Sequence, residues 1–600
     1  MSLVETSKMV VGNTSIDEIR KTVEHLCDFG QKVAGTEAEV QAANYLYERL
    51  KNFGFSRVEK QPFDVHGWDP RSSTVKIQTP VQKELESALF PYCKSESIEG
   101  PVVPIESREE NSSLLDRDLI AFADWGNDVY LSVRANYYRA VKLGYKGLIV
   151  AGPQDDLLKV VVIACGGLLE IPVVCITKDE GDSLRSMMEK GEVTVSIETD
   201  VEISEKSQSH NIVAILEGDG TSEHEIVVGA HYDSWFQGAA DNCAPAATVL
   251  ELARLFQARA EKGNLPKRTI RFLFYGAEES GSNDFYFWLV GSQAYVRDNQ
   301  DSVDKTATVL SLDSTGYTHP ATDNIDATAD VLDFAKSLRA DEGKVPSMIY
   351  RSPPSYGSDH WFFEISGVPT IYGVAFTSPL YHTQKDIPEN LDFDAVHFYA
   401  EYMKNALLHL SSCNLLPIDI FVPLERFVQI LTKYNGMDGN PVDLNLLIGE
   451  LKSLSKRKTS FRKLLASAGK NSDPVRLAII NQFLLKAAYG FNRTIGFTTR
   501  PLATYTSDYL SRLEMIEDYI HLNNSISSLR QIPISYFDSE TVKRMESQSD
   551  NPYNWLRIHD SLANLEQERT RIESEIQDEI KSLSELISNL LEEIDKVIDA

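Results

Sequence analysis

From residue 211 to residue 374 the chain alternates uninterrupted apolar runs with amphipathic stretches. The runs are NIVAILEG, EIVVGAH, RTIRFLFYGA, TVLSLDS and GVPTIYGV, while residues 245–260 and the region around 284–298 carry helical spacing. A strand with one wet face alternates apolar and polar side chains. These runs do not, so each must be covered on both faces. Helices packed on both sides of one sheet follow, which is an α/β architecture. In open sheets of this kind ligands gather beyond the strand ends, where the connecting loops converge.

At 600 residues the chain exceeds what a single core can organise. Upstream, residues 16–52 read as a helix interrupted by FGQKVAGTEAE and resumed by VQAANYLYERLKNFG, followed by the strand-like RVEKQPFDV. From about 66 to 205 the texture changes to short β-rich runs and two helices, which predicts an inserted module with its own small core. SEKSQSH, at 204–210, reads as the polar joint leading out of it. After about 415 the β signal disappears. In the last segment Ile572, Ile576, Ile580, Leu583, Ile587, Leu590, Ile594 and Val597 keep a three-four spacing, so this helix faces a core or a partner. The expected units are 12–65 with 206–414, the insert 66–205, and an all-helical segment 415–600.

Composition narrows the classes of function. Hydrophobic residues make up 42% and charged residues 24%, an ordinary globular balance, and no apolar run is long enough to span a bilayer. A net charge of -29 argues against nucleic acid as a partner, because phosphate binding needs clustered Lys and Arg. The acid excess reads as solvated helical surface. The six cysteines form no C-x-x-C pair and sit among apolar neighbours, which predicts buried, reduced thiols. The first twenty residues lack the basic start and apolar centre of a secretory signal, so a cytoplasmic location is expected.

The apolar runs end in a particular chemistry. VVGAHYDS supplies His231 and Asp233, FLFYGAEES supplies Glu278 and Glu279, VLSLDS supplies Asp313, and SPLYHTQKD supplies His382. Asp241, in HYDSWFQGAADN, sits where the helix after His231 should begin. Any one of these acids is adequately explained as a structural cap. The set is not, because carboxylates converging on one crevice repel by several kcal/mol at short range. Divalent cations relieve that repulsion. Imidazole and carboxylate ligands suit Zn(II) or a similar ion, and a site without cysteine is of the catalytic kind. A bridging carboxylate can hold two ions about 3.5 to 4 Å apart, an arrangement used for hydrolysis, and Asp241 is the candidate bridge. Asp233 can turn back to the second ring nitrogen of His231 and fix its tautomer. Of the adjacent Glu278 and Glu279, one would bind metal and the other would carry the proton.

HYDSWFQGAADN, YGAEESGS, LSLDSTG and PLYHTQKD together resemble the co-catalytic zinc exopeptidase family of aminopeptidase Y, glutamate carboxypeptidase and the transferrin receptor. The steps of ten residues from His231 to Asp241 and thirty-seven to Glu278 match the family pattern. The resemblance implies a mixed-sheet α/β zinc peptidase domain, a protease-associated domain at 66–205, and a helical domain after 415 that pairs two subunits. It implies two zinc ions per chain, one held by His231, Asp241 and Asp313, the other by Asp241, Glu279 and His382. Glu278 would be general base and acid, Asp233 the acid behind the first histidine, and Tyr381 a residue polarising the substrate carbonyl. All five ligand positions are filled, so an active enzyme on peptide substrates is expected rather than a binding or scaffold homologue.

Specificity follows less directly. YGSDHWFFEISGVPTIYGV lacks the arginines by which the carboxypeptidase branch grips acidic side chains, which favours an aminopeptidase over a carboxypeptidase. Arg134 lies near the position of a carboxylate-binding arginine and reads equally as a helix-surface residue. His360, flanked by aromatics, reads as a packed histidine, and Ser234 and Ser358 lack free His and Asp partners. GDG at 218–220 reads as a hairpin-type turn.

Overall fold

The fold is described by a computed structural model covering residues 12–599, except 111–116, 127–130, 165–166, 283–287, 319, 339–347, 356, 469–472, 496–515, 517–518, 521–522 and 525–557. The strands are β1 (Arg57–Thr79), β2 (Lys83–Leu85), β3 (Ser87–Leu89), β4 (Glu96–Pro104), β5 (Ile120–Asp124), β6 (Gly147–Ala151) and β7 (Val173–Ile176). They continue with β8 (Val193–Leu216), β9 (Glu225–His231), β10 (Thr269–Tyr275), β11 (Thr306–Asp313), β12 (Thr322–Ala327), β13 (Ile349–Arg351) and β14 (Thr370–Phe376).

Hydrogen bonds link them in the order β13-β12-β14-β11-β9-β10-β8-β4-β5-β6-β7-β3, with β1 on β8 and β2 on β1. At the centre β14, β11, β9 and β10 run parallel, while β12 and β8 are antiparallel to their neighbours. The sheet is therefore mixed. The central strands are buried along nearly their whole length, and all eight residues of β11 are buried. This is what uninterrupted apolar runs require. Helices Ile16–Asp28, Glu37–Asn52 and Ala244–Glu261 supply cover and share one apolar cluster with the strands.

Two sequence expectations change here. SEKSQSH is not a joint. It lies inside β8, whose C-terminal half pairs with β10 and whose N-terminal half pairs with β4, while β1 follows it from Ile215 to Thr194. The middle of β8 has only β1 beside it, and residues 202–208 are exposed or half-buried, so this stretch is mostly polar and mimics a loop. The ladder bends instead at register shifts between Val65 and Gly67 and between Pro70 and Ser72. Likewise GDG does not close a hairpin, because β10 lies between β8 and β9.

Residues 66–205 hold a second apolar cluster built on β4 to β7, with Leu131–Lys142 and Lys178–Met188 as its longer helices. Val33 and Trp235 join this cluster from outside the segment. The helices after 415 share the first cluster, which runs unbroken from Leu410 through Leu415 and Phe427 to Val597. The stripe on the final helix, Ile558–Asp599, is spent on this core: Ile576, Leu583, Ile587, Leu590 and Ile594 are each no more than 1% exposed, and Ile580 is partly buried. No helix among the described residues is long and apolar enough to cross a membrane. The cysteines at 27, 93, 175 and 243 are buried and Cys413 half-buried, all with free thiols; Cys165 lies outside the described residues.

Because Ile587 is fully buried, Ile587→Ala should lower unfolding stability by about 2–5 kcal/mol. Asn589→Ala, on the exposed face, should change it by no more than about 0.5 kcal/mol. Denaturant midpoints of the two variants check the orientation of the helix.

Candidate metal centre

Parallel pairing aligns the strand ends. His231 closes β9 opposite Tyr275 at the end of β10, and Asp313 closes β11 opposite Val374 on β14. Glu278 and Glu279 follow β10 after Ala277, a non-glycine residue at φ 53°. His382 differs from the expectation of a strand end. It stands in the turn segment after β14, at φ 59°, a left-handed conformation that only the surrounding contacts can maintain. Asp241 precedes the helix Ala244–Glu261 in an irregular turn, with non-helical backbone at Asp241 and Asn242. The small residues before it have a steric reason. Gly238 has φ 60°, and a Cβ there would fall 2.2 Å from the Asp241 carbonyl oxygen.

These residues converge. His231 Nε2 lies 3.4 Å from Asp313 Oδ1, 3.5 Å from Asp241 Oδ1 and 3.8 Å from Glu278 Oε2. His382 Nε2 lies 3.0 Å from Glu279 Oε1 and 3.3 Å from Asp241 Oδ2. One oxygen of Asp241 thus faces each histidine. Ligand atoms of His231, Glu278 and Asp313 all lie within 4.8 Å of one another, and so do those of Asp241, Glu279 and His382. Glu278 joins the first trio, the place that the resemblance gives to Asp241. All of these side chains are buried.

The donor set fits divalent ions. His382 Nε2 and Glu279 Oε1 point at each other at close range, yet neither has a hydrogen-bond partner. Buried polar groups left in that state call for something between them, and imidazole and carboxylate together select a zinc-like cation. The electrostatics agree. Burial would push the His231 imidazolium down, but Glu278, Asp233, Asp241 and Asp313 outweigh it and hold its pKa well above the ordinary value. Burial also opposes protonation of His382, and Glu279 and Asp241 raise it to about 9. Burial raises Glu278 well above the carboxylate range, aided by Asp313 and Glu279 against His231, and raises Glu279 to about 7. Without metal the crevice takes up protons as substitute cations.

Two carboxylates that sequence reasoning did not assign fix this geometry. Glu39 Oε1 accepts from Ala277 N at 3.1 Å and Ser209 Oγ at 2.5 Å, and its Oε2 accepts from Gly35 N at 2.6 Å. Asp233 then accepts from Glu278 N at 3.0 Å and Glu279 N at 2.9 Å. Its carboxylate is engaged there, so the nearest acceptor for His231 Nδ1 is the Asp233 carbonyl oxygen at 3.1 Å, with Oδ1 at 3.4 Å. Asp386 accepts from Ala240 N at 2.8 Å and Asp241 N at 3.1 Å. Asn242 Oδ1 accepts from Ser314 N, and Lys32 Nζ donates to the Gln237 carbonyl oxygen, so the turn carrying Asp241 is held from three sides. Asp386 ends the quoted PLYHTQKD, where its place four residues past His382 was the available signal. Glu39 and Lys32 had none, being far away in sequence.

The remaining candidates separate. Tyr381 stacks on His382 with ring centroids 3.8 Å apart. His360 is packed, stacked on Tyr372 and bonded through Nε2 to the Ser355 carbonyl oxygen at 2.6 Å, as the flanking aromatics predict. Ser234 Oγ faces the Phe236 and Gln237 carbonyl oxygens. Arg134, on Leu131–Lys142, donates to the Val162 carbonyl oxygen at 3.4 Å.

Comparison with known proteins adds similarities. Residues 211–407 match the model of Peptidase family M28. The chain is 28% identical over 294 residues to a probable leucine aminopeptidase 2 of Aspergillus oryzae, covering 47% of this chain and 54% of that protein. It is 26% identical over 341 residues to the aminopeptidase NAALADL1 of Rattus norvegicus, covering 49% and 44%. It thus spans about half the length of these curated relatives. A zinc aminopeptidase from Bacillus subtilis, BSAP, superimposes with a TM-score of 0.53 at 19% identity, covering 67% of this chain and 97% of that one, a likeness of fold.

Burial, with Asp233 close by, lifts Glu39 from an ordinary 4.5 to about 8. A raised folded-state pKa means that its contribution to stability is complete below the unfolded value and is lost as pH rises through the folded one. Glu39→Gln keeps the shape and removes the charge. Its deficit against the parent chain should therefore shrink between about pH 5 and pH 8.5, read as the gap between denaturant midpoints of the metal-free proteins.

Proposed function

Starting from a chain whose residues 211–407 match the model of Peptidase family M28, we propose a metal-dependent exopeptidase that hydrolyses terminal peptide bonds, an aminopeptidase in preference to a carboxypeptidase. The relatives named as aminopeptidases support that preference. The observation that carries the reading is Asp241, with one carboxylate oxygen toward His231 and the other toward His382. His231, Asp241 and Asp313 would hold one zinc ion, and Asp241, Glu279 and His382 a second. When bound, the pair would supply an activated water and a Lewis acid for the scissile carbonyl.

The side chains do the rest. Glu278, a carboxylate spared from binding, takes the proton of the attacking water and returns it to the leaving nitrogen. Asp233 holds the amides of Glu278 and Glu279 and so fixes where that base stands. Asp386 fixes the backbone of the bridging acid. Tyr381, stacked on His382, would polarise the substrate carbonyl. In this reading residues 12–65 and 206–414 form the peptidase domain, 66–205 a protease-associated domain and 415–600 a helical domain. The free buried thiols are compatible with a cytoplasmic setting. A homodimer through the helical domain is part of the reading, but it must use faces other than the Ile576–Ile594 stripe, which is buried within the chain. Sedimentation at micromolar concentration should give twice the 67.3 kDa chain mass, and a monomer removes this element.

Glu278→Ala should lower turnover of free-amine peptides by at least about 1,000-fold, while zinc measured by elemental analysis stays near two per chain. Loss of one zinc would instead make Glu278 a ligand, as its place in the His231 trio allows. Cleavage of N-blocked peptides with a free carboxylate would turn the reading to carboxypeptidase. Bound zinc without any cleavage would turn it to a binding protein.

A further inference from the structure

Among the described cysteines, two meet. Cys27, in the last turn of the helix Ile16–Asp28, and Cys243, the residue before the helix Ala244–Glu261, are both buried free thiols. Their sulfurs face one oxygen: the Gln237 carbonyl lies 3.7 Å from Cys27 Sγ and 3.5 Å from Cys243 Sγ. Each thiol is also the other's side-chain hydrogen-bond partner. The fully buried Lys32 donates to the same oxygen at 2.9 Å. The remaining described thiols stand apart. Cys93 Sγ donates to the Val173 carbonyl oxygen, Cys175 Sγ to the Ile176 carbonyl oxygen, and Cys413 Sγ accepts from Arg268.

The pair lies under a thin cover and beside a stiff turn. Gln237, whose carbonyl the thiols share, is itself exposed, so they sit just beneath the surface. The loop from His231 to Cys243 is tied to the segment after the first helix at Lys32, whose N–H and carbonyl oxygen pair with Ser234. Its far end has no slack. Cys243 N donates to the Gly238 carbonyl oxygen at 3.0 Å, Asp386 holds the amides of Ala240 and Asp241, and Gly238 has no room for a Cβ. Asp241 stands two residues before Cys243, so a displacement of Cys243 passes to the carboxylate that faces both histidines.

We propose that Cys27 and Cys243 form an oxidation site, a reversible disulfide whose closure draws Asp241 away from the two histidines and weakens the hold on metal. The coupling to metal rests on the peptidase reading above; the disulfide itself does not. The oxidant is a small hydroperoxide, hydrogen peroxide in the simplest case. One sulfur takes a hydroxyl as the O–O bond breaks, and its proton leaves with the other oxygen as water, which gives a sulfenic acid. The second sulfur then attacks the first. The S–S bond forms, the S–O bond breaks, and the hydroxyl departs with the remaining thiol proton as a second water. The two thiols lose two electrons in all and the peroxide gains them. A dithiol reverses the step by exchange. Bonded sulfurs lie closer together than thiols in contact, so closure pulls the helix end and the turn toward each other.

The test takes the full-length chain, reduced and then exposed to hydrogen peroxide, and uses two readouts that need no peptide cleavage. Mass spectrometry of unreduced digests should show a linked Cys27–Cys243 peptide that a dithiol removes. Zinc affinity, measured by competition with a chromogenic chelator, should fall about 10- to 100-fold on oxidation and return on reduction. Cys27→Ala should bind zinc as the reduced parent does and ignore peroxide, while Cys413→Ala should respond as the parent does. Should Cys27→Ala fail to fold, Cys27→Ser gives the same comparison. Thiols that survive peroxide, pair otherwise or end as sulfinic acids overturn the proposal. So does a linked peptide with unchanged zinc affinity, or an affinity loss shared by the Cys27 variant. A reduced chain that binds no zinc overturns the coupling together with the metal reading. A chain that behaves as expected in both readouts but cleaves no peptide removes the peptidase reading alone and leaves the oxidation site standing.

Discussion

Every backbone amide from Ala277 to Glu279 is bonded to a buried carboxylate, the first to Glu39 and the next two to Asp233. Asp386 repeats the arrangement under Ala240 and Asp241. A buried carboxyl oxygen that accepts an amide hydrogen bond fixes the backbone that carries the amide, because breaking that bond would leave a buried donor unsatisfied. The two loops that carry Asp241, Glu278 and Glu279 are thus set by acids that belong to other segments. Ligand geometry here depends on buried carboxyl groups from other segments, and burial lifts two of them, Glu39 and Asp386, to about 8.

The same arrangement explains which parts of the site were legible in the sequence. His231 and Asp313 end apolar strands, and Glu278 and Glu279 follow one closely, so buried runs followed at once by acids and histidines announced them. Asp241 and His382 were legible only through quoted local spacing. His382 stands in a turn at positive φ, which periodicity cannot report. Glu39 and Lys32 are two hundred residues from the loops they hold, and a lone Glu in a helical stretch or a lone Lys near a glycine looks like surface. Their burial is a tertiary fact.

The sheet was legible in the same uneven way. The strands enclosed by helices declared themselves because burial on both faces forces an apolar run. Residues 204–210 are equally β in conformation, yet they read as a joint, because with only β1 beside them nothing demands apolar side chains. The helical stripe after 570 was correctly periodic, but periodicity alone leaves open whether a core or a second chain covers it; the cover is the chain's own.

The ribbon of β1 and β8 has a consequence for anyone who would treat residues 66–205 as a removable cassette. Two continuous strands cross the boundary in register, so no flexible tether exists there to cut or to lengthen. Excision would sever both strands in mid-ladder and leave raw edges open to pairing with other chains. Transplanting a different module would succeed only if the graft preserved strand register across the shifts at Val65/Gly67 and Pro70/Ser72, because a slip of one residue turns every side chain beyond it to the opposite face.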